Sequence, residues 1–527
     1  MKQPMTDHEP ENDASRGFTR LAEDILEFLT AQFPVCMASD EFHFFPQARA
    51  RIVDWSRWDD FSPDAMTEAI ARLKQWTRSL DRQTPGLSSF DRIVESAMLR
   101  RVLQTLSEQF EWVRVQNAQP TFYLTIVGIG LAEALESGER AFTARLEHLP
   151  GFLHQAESNL IRIPRLFRDL GLDMLGKQMA WLDSLTLPDT CRPPVFDAYR
   201  RLHLHLENAL VHEAYLPEVD LYKRIAFAHM GCFLSSDDIA AELNREIEET
   251  RSALERFAAD SCGKQWQAVV EGLPRPPAPA EGVGNIYHGV ISDLASHCIQ
   301  QQLVSEELVY RCPIAVETIP DYMHPVRSSA AYSMPPRHPP RGGTFFIAAT
   351  GKHAAVPVDY RLLAAHETYP GHHLLDTCRW RQTRLVRRHV EFPVFYEGWA
   401  SFAEELLFDT GFFSGAAEQM LMAKRRFWRA IRGRVDFDIH MRRHTPDEAA
   451  TELESEGMPP DLAVAMVRRY LLKPGYQLAY TIGRRRFRRL YDTWRRRGAT
   501  PAAFAGRVLA QGEIGFDHLD SIILNEY

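Results

Sequence analysis

Apolar residues recur at three- and four-residue intervals along most of this chain, the spacing of helices with one buried face. The clearest case is 64–80, where Met66, Ile70, Leu73 and Trp76 fall in register. The same period predicts helices over 18–33, 88–115, 121–136, 140–170, 172–185, 198–212 and 236–257. Ser89 offers capping chemistry near the start of 88–115. Pro164 should kink or break 140–170, and Pro188 and Pro193 end that run. Residues 236–257 carry both signs of charge and read as a long exposed helix. Residues 1–15 are polar and acidic and read as a disordered tail. The aromatic-rich stretches 42–46 and 55–61 read as core.

The strongest linker signal is 272–280, GLPRPPAPA. It divides the chain into a tail 1–15, a helical N-terminal region 16–270, a Pro-rich linker 271–284 and a catalytic region 285–527. Past it, 285–309 is helical again and then the period changes. CPIAVETI at 312–319 and GTFFIAAT at 343–350 read as strands, with a Pro-rich loop at 335–341 between them. They predict a small sheet beside the following helix, with 342–348 bordering a substrate cleft by strand addition. Helical patterns return at 397–408 and 470–491, and in a short pair, 502–511 and 517–525. The expected fold is therefore mainly α with one small β-sheet.

Totals narrow the class of protein. The chain has 527 residues, 45% hydrophobic and 25% charged, with a net charge of −9. These are ordinary globular values, and the charge gives no overall footprint for nucleic acid or acidic membranes. Seven cysteines are scattered without a C-x-x-C pair, which argues against a disulfide framework or a cysteine-ligated metal. No stretch approaches the roughly 18 apolar residues of a membrane span. The start lacks the pattern of a signal peptide. The expectation is a soluble cytoplasmic protein with no membrane partner.

One stretch changes this picture. Residues 362–380 read LLAAHETYPGHHLLDTCRW and hold His366, Glu367, His372 and His373. A metal-dependent hydrolase needs three protein ligands, an open position and a base beside the activated water. In the usual helical H-E-x-x-H the histidines share a face. Here the second histidine is six places on, which a regular helix puts on the wrong side. Pro370 and Gly371 supply a remedy. Proline removes a donor and clashes with the carbonyl of His366, and glycine tolerates a bulge that returns His372 to the face of His366. His373 is the rival ligand, at the right angle but about 10.5 Å along a straight helix. Glu397, in the helical pattern EGWASFAEELLF, is the third candidate ligand and Glu367 the general base. Glu404 is placed to hold a ligating histidine, with Asp376 and Glu405 weaker candidates for that role.

The blocks HETYPGHH, YEGWASFAEE and PGYQLAYTIG, in that order, resemble the bacterial domain-of-unknown-function family 885, a group of expected zinc peptidases related to the gluzincins. The likeness covers most of the chain. It implies a gluzincin-like helical metallopeptidase fold, one Zn2+ per chain on His366, His372 and Glu397, and Glu367 as base. By the same carry-over Tyr480 faces the reaction centre, where its hydroxyl would share an oxyanion's charge. The expected reaction is peptide-bond hydrolysis, with a peptide or small amide as substrate. An amidase acting on a non-peptide amide, or a silent metal-binding protein, is the alternative.

Other histidines and arginines carry weaker signals. His203, His205 and His212 read as helix-surface residues, and His324, His338 and His353 as loop residues. Arginine-rich runs at 379–388, 425–443 and 484–497 read as solvated faces paired with the acidic surplus, not as a nucleic-acid surface. A subset could grip a peptide carboxylate two-pronged.

Overall fold

The computed structural model describes residues 13–259, 265–277, 282–320, 323, 330–348 and 356–524. Residues 1–12 of the expected tail lie outside these, and Asp13 already opens the helix Asp13–Gln32. Phe18, Leu21, Ile25 and Leu29 form its buried stripe. Pro63–Gln83 follows the predicted register, and Phe90–Ser107 starts where Ser89 Oγ accepts the Arg92 amide at 3.2 Å. The chain then winds as a π-helix, Glu108–Val113, before turning.

Two expected helices divide differently. Glu139–Asn159 stops short of Pro164, which ends a three-residue strand, Arg162–Pro164. The next helix runs unbroken over Arg165–Asp183, because Leu166 to Trp181 contains no proline. The strand pairs in parallel with Leu210–His212, so the expected helix 198–212 ends at Asn208. His205 there bonds the Leu160 carbonyl at 2.8 Å, and His203 lies 3.5 Å from Glu207.

The helix Ser236–Ala259 is not simply exposed. Ile239, Leu243, Leu254 and Ala258 are buried against the helices Ala416–His440 and Leu478–Arg496. Its acidic face meets their arginines. Glu246 accepts from Arg426 at 2.7 Å and from Arg485 at 2.6 Å, and also bonds Arg484. A continuous cluster of buried apolar side chains extends from Phe18 to Ile523 and includes residues on both sides of the Pro-rich stretch. Residues 278–281 of that stretch lie outside the described residues.

The small sheet is three-stranded. Ile314–Thr318 pairs in parallel with Gly343–Ile347, which pairs on its other side antiparallel with Ala331–Ser333. Residues 349–350 of the second predicted strand lie outside the described residues. The strand expected to border the cleft is thus the central one, and its backbone is used on both sides. The edge strand Ala331–Ser333 had no sequence signal, being three residues long. No helix among the described residues is long and apolar enough to cross a membrane.

Candidate metal centre

The stretch 362–380 is two helices rather than one with a bulge. Tyr360–Glu367 ends at the candidate base, and His372–Trp380 begins at the second histidine. Pro370 cannot continue a helix past its clash with the carbonyl four residues back. The Tyr369–Pro370 bond is cis, and the chain folds onto its own last turn. There a Cβ on Gly371 would lie 1.8 Å from the His366 carbonyl oxygen, so only glycine fits. The Gly371 amide donates to Ala365 at 3.2 Å, and Trp399 Nε1 donates to the Pro370 carbonyl at 2.9 Å. The turn brings the His366 and His372 rings to 4.7 Å, nearly perpendicular.

His373 faces elsewhere. Its Nδ1 lies 2.8 Å from the Tyr332 hydroxyl and its Nε2 2.8 Å from the Cys312 carbonyl. Both nitrogens are committed to the sheet side, and burial pushes its pKa down to about 4.

Glu397 arrives from the helix Pro393–Asp409, which begins four residues earlier than the sequence pattern placed it. Its Oε2 lies 3.3 Å from His366 Nε2 and 3.4 Å from His372 Nε2, yet is buried without a hydrogen-bond partner. Ligands bonded at roughly 2.0–2.1 Å to a tetrahedral ion lie about 3.3–3.4 Å apart. One buried, unpartnered carboxylate oxygen at that spacing from two imidazole nitrogens, with ligand atoms of all three residues within 4.8 Å of one another, fits a divalent ion such as zinc.

A second ring of residues fixes this set. His366 Nδ1 lies 3.0 Å from Glu404 Oε1, so donation there leaves the Nε2 lone pair free. Arg429 Nη2 is 3.1 Å from the same nitrogen, but it bonds Glu404 more closely, at 2.6 Å. Arg425 also holds Glu404, and reaches Asp359 at 2.8 Å. Burial pushes the Glu404 carboxyl up, but Arg425 and Arg429 outweigh it and hold it well below its ordinary value. The His372 ring stacks on Tyr396 at 4.0 Å. Tyr476 donates to Glu397 Oε1 at 2.7 Å. Tyr480 lies with its ring 6.4 Å from that of His366, and burial and the Glu397 charge keep its hydroxyl protonated.

Glu367 is buried and borders the same cleft, with its pKa raised to about 7, chiefly by burial. Asp376 and Glu405 do not support the histidines. Asp376 bonds Arg379 at 2.7 Å in a separate buried cluster with Glu391 and Glu513, where the guanidinium already supplies the cation. Glu405 bonds Arg484 at 2.6 Å. His338 bonds the Trp380 carbonyl, whereas His324, His353 and Cys262 lie outside the described residues. The six described cysteines are free.

The sequence motifs hold one another. A Cβ on Gly398 would lie 2.5 Å from Gly483 Cα, and one on Gly483 would lie 1.9 Å from the Val394 carbonyl. The glycine of EGWA therefore meets the glycine of Y-x-x-G, and the tryptophan of EGWA braces the P-G turn. Arg425, Arg429 and Asp359 escaped sequence reasoning as site residues. The two arginines were signalled only as part of a basic helix, Asp359 had no signal, and Glu404 and Asp359 are distant from both arginines in the chain.

The centre opens on a cleft of about 810 Å³, bordered by Ala331, Tyr332, Ile347 and Ala348 of the sheet. A larger chamber of about 1150 Å³ shares Glu41, His43, Arg469, Lys473 and Tyr476 with it but none of the candidate ligands.

These features define a mainly helical protein with a buried two-histidine, one-glutamate cluster beside a cleft. The chain belongs to the family described as "Bacterial protein of unknown function (DUF885)", matched over residues 49–523. No curated protein matches it. A solved structure from Colwellia psychrerythraea, described as a candidate lipoprotein, is similar with TM-score 0.78 and 16% identity, covering 98% of this chain and 99% of that one. Another from Shewanella oneidensis, described as a candidate lipoprotein of unknown function, has TM-score 0.70 and 13% identity, covering 96% and 99%. These likenesses concern the fold alone.

Proposed function

We propose that the protein is a zinc-dependent peptidase of gluzincin-like type, with the metal held by His366, His372 and Glu397. The observation that carries this reading is one unpartnered carboxylate oxygen facing two imidazole nitrogens at 3.3 and 3.4 Å. Zinc would polarise the scissile carbonyl and lower the pKa of the attacking water. Glu404 orients His366, and Tyr476 orients Glu397. Glu367 takes one proton as the water oxygen bonds the carbonyl carbon, then delivers it to the departing nitrogen as the C–N bond breaks. Tyr480 donates toward the carbonyl oxygen as its charge grows. The edge strand Ala331–Ser333 supports an extended peptide lying along the cleft.

Purified protein would be assayed for metal content and for cleavage of an oligopeptide panel. One zinc per chain and zinc-dependent cleavage are expected. Absence of stoichiometric metal, or cleavage undiminished by chelation, rejects the reading. A cytoplasmic location is part of the proposal. The lipoprotein description of the two solved relatives favours an envelope location instead, and cell fractionation decides between them.

A further inference from the structure

The cleft is rich in cations, and most of those near the centre are neutralised. Arg425 and Arg429 are bonded to Glu404, Arg425 also to Asp359, and Lys473 to Glu41 at 2.8 Å. Lys424 acts on Asp359, Arg469 donates to Met466 Sδ at 3.4 Å, and Arg275 is exposed. Arg432 is different. It is half-buried, one turn beyond Arg429 on Ala416–His440, and so lines the same cleft. No carboxylate among the described residues comes within ion-pair reach of it, and its Nε is buried without a hydrogen-bond partner. Its guanidinium carbon sits 5.4 Å over the Tyr480 ring, on whose other contacts lie His366 and Tyr476.

Two further groups beside it lack partners. Tyr470 is 1% exposed, and its hydroxyl has no hydrogen bond. Gln477 Oε1 is likewise unsatisfied, and both residues line the cleft. Buried polar atoms left unpaired are costly, and several on residues that line one cavity point to what its ligand supplies. An arginine fork matches a carboxylate in two-pronged fashion. Tyr470 adds a donor to such a group, and Gln477 Oε1 an acceptor for a substrate N–H.

We propose that Arg432 anchors a carboxylate of the substrate, so that the cleft takes peptides at their carboxy-terminal end. The Arg432 guanidinium carbon lies 5.4 Å and the His366 ring 6.4 Å from the centre of the Tyr480 ring. The two groups are thus at most about 12 Å apart, and at about 3.5 Å per extended residue the carboxylate lies within about three residues of the bond cut. This rests on the hydrolase reading of the centre but is tested apart from it.

The probes are benzoyl-glycyl-phenylalanine, its carboxy-terminal amide, and the amide of benzoyl-glycyl-glutamate, which carries its acid on the side chain. Binding of each to the full-length, chelator-treated protein is measured by calorimetry, where no cleavage intervenes. The free acid should bind at least tenfold more tightly than either amide. Arg432→Gln should abolish that preference, and Arg432→Lys should retain part of it, with circular dichroism unchanged in both. Equal binding of acid and amide, no binding of either at millimolar concentration, or a preference that survives Arg432→Gln overturns the proposal. Equal binding of the glutamate amide and the free acid overturns the carboxy-terminal assignment. Failure of the hydrolase reading shows separately, as missing zinc or missing cleavage.

Discussion

Glu367 and His366 are adjacent in sequence, and the proposed mechanism gives them separable tasks. Glu367 is not one of the three candidate ligands, whereas His366 is. Glu367→Gln should therefore retain one zinc per chain and lower kcat by roughly 10²–10⁴-fold, the usual worth of a general base. His366→Ala should lose the metal. Parallel metal analysis and peptide assays check both, and full activity in Glu367→Gln would reject the base. Tyr480→Phe keeps ring and metal but removes a donor, so kcat should fall by roughly 10²-fold with KM little changed. A rise in KM alone would make Tyr480 a binding group instead. At this scale the ligand candidates were legible because chemistry-bearing residue types crowd one short stretch. The Pro370-Gly371 step favours His372 over His373, but what turns His373 away was not legible. That orientation depends on Tyr332 and the Cys312 carbonyl, which occupy both nitrogens of His373 and come from parts of the chain with no motif.

Between elements, the separation of the helices Pro393–Asp409 and Leu478–Arg496 decides whether Glu397 and Tyr476 meet. Gly398 and Gly483 set it, since each excludes a Cβ through backbone atoms that cannot swing aside. Gly483→Ala should destabilise the protein by about 1–3 kcal/mol or more, as overpacking does. Gly151 is the control. It lies in the helix Glu139–Asn159 with nothing within 4 Å of an added Cβ, so Gly151→Ala should stabilise by up to about 1 kcal/mol. Urea denaturation of the two variants measures the contrast, and equal midpoints would remove the close-approach argument. Helices were readable here because their period is local. The single kinked helix expected over 362–380 was not what formed. Proline and glycine correctly signalled a break, but its depth depends on the Trp399 hydrogen bond, which no local pattern encodes. The edge strand Ala331–Ser333 is too short to have a period at all.

Across the whole molecule, Glu246 ties the helices before the Pro-rich stretch to those after it. It is 1% exposed and meets Arg426, Arg484 and Arg485. Burial alone would push its carboxyl up, but Arg484 and Arg426 outweigh that and hold it at about 2. A carboxyl depressed on folding stabilises the native state above its unfolded value of roughly 4.3, and that contribution fades as pH falls toward the folded value. Unfolding free energy should therefore drop on acidification between about pH 4.5 and pH 2. Glu246→Gln should lose about 3–5 kcal/mol at pH 7, because Arg484 is left buried without one of its two carboxylates. The gap between wild type and variant should narrow as pH approaches 2, where the wild-type carboxyl is itself being neutralised. Denaturant titrations of both proteins at stepped pH test this. A gap that stays constant down to pH 2 would mean that Glu246 acts through shape rather than charge, and that the arginine-rich helices are held by their other acidic partners.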